Sequence, residues 1–315
     1  MAAMESSFRS PQILVPLKPR TESTQGQDIV LYLRPETNGV QVESVLFRVF
    51  SRSVWKERLT LAYFANLPGD FILHHRIVEQ HYASRLDFAA RGKAAFTPQM
   101  RQTFERFFGI PYDKAQIYGS FEALQLLKLS AEELFQLWVP VYDILEIEGQ
   151  LVKRLPDNKF IINYDIPALL HKNHAGTDVA VLVVRTDLDY DGFRPVVEEI
   201  RSALIDAGLL DPTKTERRVF HYSKGPFEQL LDGLGYIWKT PSEPASLLEL
   251  SFGAYLAQRG WSEEALLHRL RHPITWFYDS NGALVEQNIF AYTLFDDYQT
   301  AFQKISTSKS KGEEP

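Results

Sequence analysis

The sequence predicts an α/β fold built from repeated strand–helix–strand units, with a mixed α+β arrangement as the alternative. Three observations carry this. Apolar runs of strand length alternate with segments of helical spacing. Two of those runs, DIVLYLR (28–34) and DVAVLVVRT (178–186), are almost continuously apolar, as in strands buried on both faces. Near the C-terminus, ITWFYDSNGALVEQ (274–287) reads as a β-hairpin, with Asn281–Gly282 as a type I′ turn signal.

Each element has its own reason. Residues 1–27 mix Ser, Thr, Pro and Gln without periodicity and read as a mobile tail, from which QILVPL (12–17) packs as an arm. The first unit is the strand at 28–34, a helix over 40–52 and a strand at 58–66, followed by helical patterns near 71–91 and 97–108. Helical spacing returns at 119–127 and 130–141, where Ser130 and Glu133 form a capping box. Strand patterns at 142–149, 150–155 and 159–165 follow, with Pro156–Asp157–Asn158 as a hairpin turn. After the strand at 178–186 comes an amphipathic helix over 194–208, ended by Gly208. A strand over 216–222 leads into a helix over 225–235, then helices near 245–259 and 262–271, the hairpin, and a last helix over 295–305. The expected organisation is a tail (1–27), an N-terminal α/β domain (28–141), a C-terminal α/β domain (142–305) and a disordered tail (306–315). Superposing Arg34 on Arg185 aligns a few apolar residues of the two strand–helix starts, a match that shared composition explains without a duplication.

Composition narrows the chemistry. The chain of 315 residues has no cysteine, so disulfides, thiolate nucleophiles and cysteine-ligated zinc are excluded. A formal charge of −6 argues against a general electrostatic grip on nucleic acid or on an anionic membrane. No apolar run reaches the roughly 18 residues of a membrane span. The expectation is a cytoplasmic protein.

The sharpest motif is DLDYDGFRPVVE (187–198). Asp187, Asp189, Asp191, Gly192 and Glu198 fit the calcium-loop pattern, in which alternating carboxylates converge on a hard cation. These four acids are the candidate ligands for Ca²⁺ or Mg²⁺. A strand, not a helix, precedes them, and Asp191 with Pro195 also suits an ordinary helix start. The same stretch resembles the first strand–helix unit of palm-type nucleotide cyclases, where such acids hold catalytic metal ions; no GGDEF-like turn follows it.

The second candidate is the junction His221–Tyr222–Ser223–Lys224–Gly225. Free amides at a helix start, helped by a lysine, attract a phosphate, and His221 and Tyr222 would assist as acid, base or donor. Pro226 removes one donor, and neither phosphate-loop expression is present. The competing reading is a plain strand-to-helix bend. His74 and His81, on one helical face, and the HKNH and HRLRH groups read as packing or surface histidines.

No complete catalytic signature occurs, so enzyme activity stays undecided. One reading is a non-enzymatic interaction or regulatory protein that meets a protein partner through its α/β surfaces and needs an exposed aromatic patch. The alternative is an enzyme or sensor for a small phosphorylated ligand or nucleotide, with a divalent cation at 187–198.

Overall fold

The computed structural model describes residues 8–19, 26–279 and 281–308, and its helices and several sheets form a mixed α/β fold. The expected tails therefore lie largely outside the described residues. Two compact units interleave along the chain. The first takes the described residues within Met1–His81, Asn173–Leu270 and Thr293–Ser306; the second takes those within Tyr82–Lys172, Arg271–Tyr292 and Thr307–Pro315. Residue 141, the boundary expected from sequence, falls inside the second unit.

In the first unit the elements of the main sheet and its connecting helices are β1 (Gln12–Val15), β2 (Gln27–Leu33), α1 (Val40–Phe50), β3 (Leu59–Pro68), β4 (Asp178–Thr186), α2 (Arg194–Asp206), β5 (Phe220–Tyr222) and α3 (Pro226–Gly233). They build one five-stranded sheet in the order β1–β3–β4–β2–β5. Strand–helix–strand occurs twice, and the first strand of each unit, β2 and β4, lies inside the sheet. This is the split β–α–β arrangement.

Every neighbouring pair is antiparallel, with Leu31 opposite both Leu182 and Tyr222. Strand–helix–strand units with strands buried on both faces usually build parallel sheets, and this sheet does not. Each connecting helix returns the chain to a strand two places away, so parallel partners are separated by an antiparallel one. Because β4 and β5 both oppose β2, they still end at the same edge of the sheet.

Local signals account for the elements. β2 is buried along its whole length, including Gln27 and Asp28 ahead of its apolar run, and α3 and the helix Ser251–Ala257 pack on it. α1 and α2 bury Val42, Val45, Leu46 and Val49 and Val196, Val197, Ile200 and Leu204, and contact each other. At the end of α2, Leu209 N–H donates to Leu204 O and Gly208 N–H to Ile205 O, each at 2.9 Å, with Gly208 at φ +69°. The arm QILVPL is β1, paired with β3.

In the second unit, Gln116–Gly119, Lys159–Ile162, Gln150–Leu155 and Ile144–Ile147 make a sheet in that order, the first pair parallel. Phe96, Phe104, Phe108 and Phe160 fill its core. Asp157 and Asn158 adopt φ +61° and +53° in the expected hairpin turn. The Ser130–Glu133 capping box forms, but its helix stops at Gln136, as Pro140 ahead disfavours helical backbone. The C-terminal hairpin Ile274–Tyr278/Leu284–Asn288 is present. Its Asn281–Gly282 pair is not type I′: of these two residues only Gly282 has positive φ, and the Asp279 carboxylate accepts from the amides of Asn281 and Ala283.

Candidate metal centre

Four ionisable side chains meet in the first unit, and sequence distance hid them. His221 is the middle residue of β5, opposite Tyr32 of β2. Glu228 and Asp232 stand four apart on α3, so they share one face. Gly225 lets the start of α3 pack against the backbone of Thr293 and Leu294, because a Cβ there would meet Thr293 O at 2.7 Å. His81 arrives from the short helix Ile77–His81. The expected helix over 71–91 is in fact broken at Arg76, whose φ is +52°, and that break brings His81 to the site.

His221 Nε2 lies 2.8 Å from Asp232 Oδ2 and 3.6 Å from Glu228 Oε1. Among the described residues, His221, Glu228 and Asp232 form the group of three whose ligand atoms all lie within 4.8 Å of one another. His81 Nε2 is 3.8 Å from Asp232 Oδ1, while its Nδ1 is 3.3 Å from Leu231 O. A carbonyl only accepts, so Nδ1 carries the hydrogen and the Nε2 lone pair points toward the carboxylate. Asp232 is 1% exposed, and its Oδ1 has no hydrogen-bond partner. The rings of Tyr32 and His221 stack at 4.8 Å, and Tyr236 stacks on Tyr32 at 5.1 Å, fixing the imidazole plane.

Burial sets the charges. Desolvation lowers the pKa of both His81 and His221 to about 4, so both imidazoles are neutral at neutral pH. The same desolvation raises Asp232 to about 7 and raises Glu228 as well. Neutral imidazoles with adjacent carboxylates suit a first-row divalent metal such as Zn²⁺ better than Ca²⁺ or Mg²⁺. Two ligands at about 2.1 Å from one tetrahedral ion lie about 3.4 Å apart and can never exceed about 4.2 Å. The separations of 3.6 and 3.8 Å fall inside that span, and the 2.8 Å pair needs only a small opening.

The sequence-derived candidates are placed differently. Asp187, Asp189, Asp191 and Glu198 are all exposed. Arg58 grips Asp187 through Nε and Nη2 at 2.9 and 3.1 Å, Asp189 Oδ1 accepts from Gly192 N–H at 2.5 Å, and Asp191 pairs with Arg194 at 3.0 Å. No three of the four acids form a ligating group among the described residues. At the other candidate, Ser223 is fully buried and its Oγ accepts from Val30 N–H at 3.0 Å. The Lys224 amide donates to Glu228 Oε2 at 2.7 Å, so an internal carboxylate occupies the position expected for an anion. Tyr222 is buried, with Lys224 Nζ 4.9 Å from its ring. Of this group only His221 joins the cluster directly. The missed ligands left one signal, an H-x₆-E-x₃-D spacing that sets two helix acids beside a strand histidine.

A separate feature lies in the second unit. Trp138, Val141 and Tyr142 are 79%, 82% and 72% exposed within one short, proline-containing segment. No helix among the described residues is long and apolar enough to cross a membrane. No protein-family model, curated protein or solved structure matches the chain.

Proposed function

We propose that the protein is a metal-responsive regulatory protein that binds one divalent transition-metal ion through His221, Glu228 and Asp232, with His81 beside them. The observation that carries this reading is the buried, unpartnered Asp232 Oδ1, 3.8 Å from His81 Nε2. That gap is too long for a hydrogen bond and fits two ligands of one cation. An orphaned buried carboxylate oxygen is costly, and an ion removes the cost. A cytoplasmic setting belongs to the reading, supported by a chain that has no cysteine to protect or oxidise.

The test is thermal unfolding with added Zn²⁺, Mn²⁺, Ca²⁺ or Mg²⁺. Zn²⁺ at a hundred times its dissociation constant should add about 2.7 kcal/mol of stability. No shift with any first-row metal, or an equal shift in D232N, sinks the reading.

A second reading, interaction with a protein partner, is supported by the Trp138–Tyr142 segment, since large exposed apolar side chains in one short run mark contact surfaces. If that surface serves a partner, Trp138→Ser changes the stability of the isolated chain by less than about 0.5 kcal/mol. A loss of several times that in urea unfolding would mean the tryptophan packs at home.

A further inference from the structure

We infer that the Trp138–Tyr142 segment and the strand Ile144–Ile147 form one docking edge, to which an extended, positively charged segment of a protein partner adds as a further strand. The inference rests on the protein-partner reading above and adds the partner's chemistry and its mode of binding.

Ile144–Ile147 stands at the end of the second unit's sheet. It pairs on one side with Gln150–Leu155 and has no strand on its other side among the described residues. An outer strand of this kind offers main-chain donors and acceptors to an extended chain. The residues ahead of it continue the same edge. Lys153 Nζ donates to Leu137 O at 2.5 Å, and Arg154 Nη1 lies 3.9 Å from Asp143 Oδ1, so two neighbours on Gln150–Leu155 hold both ends of the segment.

Side chains along this edge divide by exposure. Leu137 and Val139 pack against the small core of Leu134, Leu155 and Ile161, and Leu145 and Ile147 are buried. Trp138, Val141, Tyr142 and Glu146 are exposed. The edge is thus pinned through its inward residues while two aromatic rings and a carboxylate stay available. A surface ordered in advance loses little further freedom when a partner binds.

Charge selects the occupant. Glu146 is the ionisable residue of the strand, and Glu132 and Glu133 are exposed on the helix that leads into the segment. In a second copy paired antiparallel with its Leu145 on the matching face, the two Glu146 side chains would stand opposite or diagonal to each other, which is repulsive. A lysine or arginine of a foreign strand pairs with Glu146 instead. Other cations of that strand are attracted to the faces of Trp138 and Tyr142.

The experiment is fluorescence anisotropy of the full chain with three labelled decapeptides: alternating valine and lysine, alternating valine and glutamate, and the lysine peptide with every amide N-methylated. The unmodified lysine peptide should bind at least about tenfold more tightly than either of the others. Trp138→Ser should weaken it about tenfold, and Glu146→Lys, a surface change, should turn the preference to the glutamate peptide. Equal binding of the lysine and glutamate peptides, undiminished binding of the N-methylated one, or no binding of any overturns this inference and leaves the contact surface to another kind of partner. A dimer of the free chain in sedimentation, dissolved by Trp138→Ser, gives the edge to a second copy and also overturns it. A large loss of stability in Trp138→Ser removes both this inference and the partner reading.

Discussion

Two acidic regions of the first unit make opposite use of their charges. Past β4, four carboxylates crowd into residues 187–198, and Asp187, Asp189 and Asp191 each settle on a separate nearby donor, Arg58, the Gly192 amide and Arg194. Beside β5, two carboxylates and two histidines from three elements point at one another away from water. Exposed acids gain most from water, a nearby arginine or a backbone amide, so density along the chain does not become convergence. Burial removes those outlets, leaves Asp232 Oδ1 without a donor, and shifts the pKa values of the whole cluster.

The largest effect should come from exchanging the roles of these regions. D232N is expected to weaken Zn²⁺ binding by about 100-fold or more, whereas neutralising Asp187, Asp189, Asp191 and Glu198 together should leave it unchanged. Isothermal titration of both variants decides the matter, and the reverse result would restore the acid loop as the metal site.

Next in size is a stability effect of opposite sign. The folded-state pKa of Asp232 is raised from 3.8 to about 7, so its neutral form favours folding at low pH and that contribution is lost as pH rises toward 7. Metal-free D232N should therefore exceed the parent protein at pH 8, by on the order of 2–4 kcal/mol, and the difference should vanish near pH 4. Urea unfolding across that range measures it. A site that becomes more stable once its ligand is removed is the mark of a functional centre rather than a structural one.

The same variant isolates the histidines. His81 and His221 have folded-state pKa values near 4, below the ordinary 6.5, so their neutral forms favour folding above 6.5 and that contribution is lost as pH falls toward 4. In D232N, stability should decline steadily on acidification through that window, and a flat profile would mean the imidazoles are not buried. The smallest effect belongs to the acid loop. Arg58 and Asp187 are 43% and 62% exposed, and D187N should cost less than about 1 kcal/mol in the same unfolding experiment.

Much of the local structure was legible. Gly208 ends α2, Ser130 and Glu133 cap their helix, Pro156–Asp157–Asn158 turns a hairpin, and Val179–Val184 lies in an interior strand. Each depends on residues within one turn or one strand, where spacing and backbone preference suffice. The strand at Gln116–Gly119 was hidden because only four residues carry it, and the break at Arg76 because no glycine or proline announces it. One of the four residues of the metal centre was also within view. His221 was singled out, but as a helper to an anion site whose amide Glu228 already occupies.

The sequence by itself determined most of the strands and helices, since periodicity and capping act over a few residues. Tertiary structure alone decided the antiparallel order of the sheet, the interleaving of the two units and the meeting of His81 with Asp232. Those outcomes depend on which buried faces find each other across 150 residues of chain and more, and on the loss of water that forces their polar groups to answer one another.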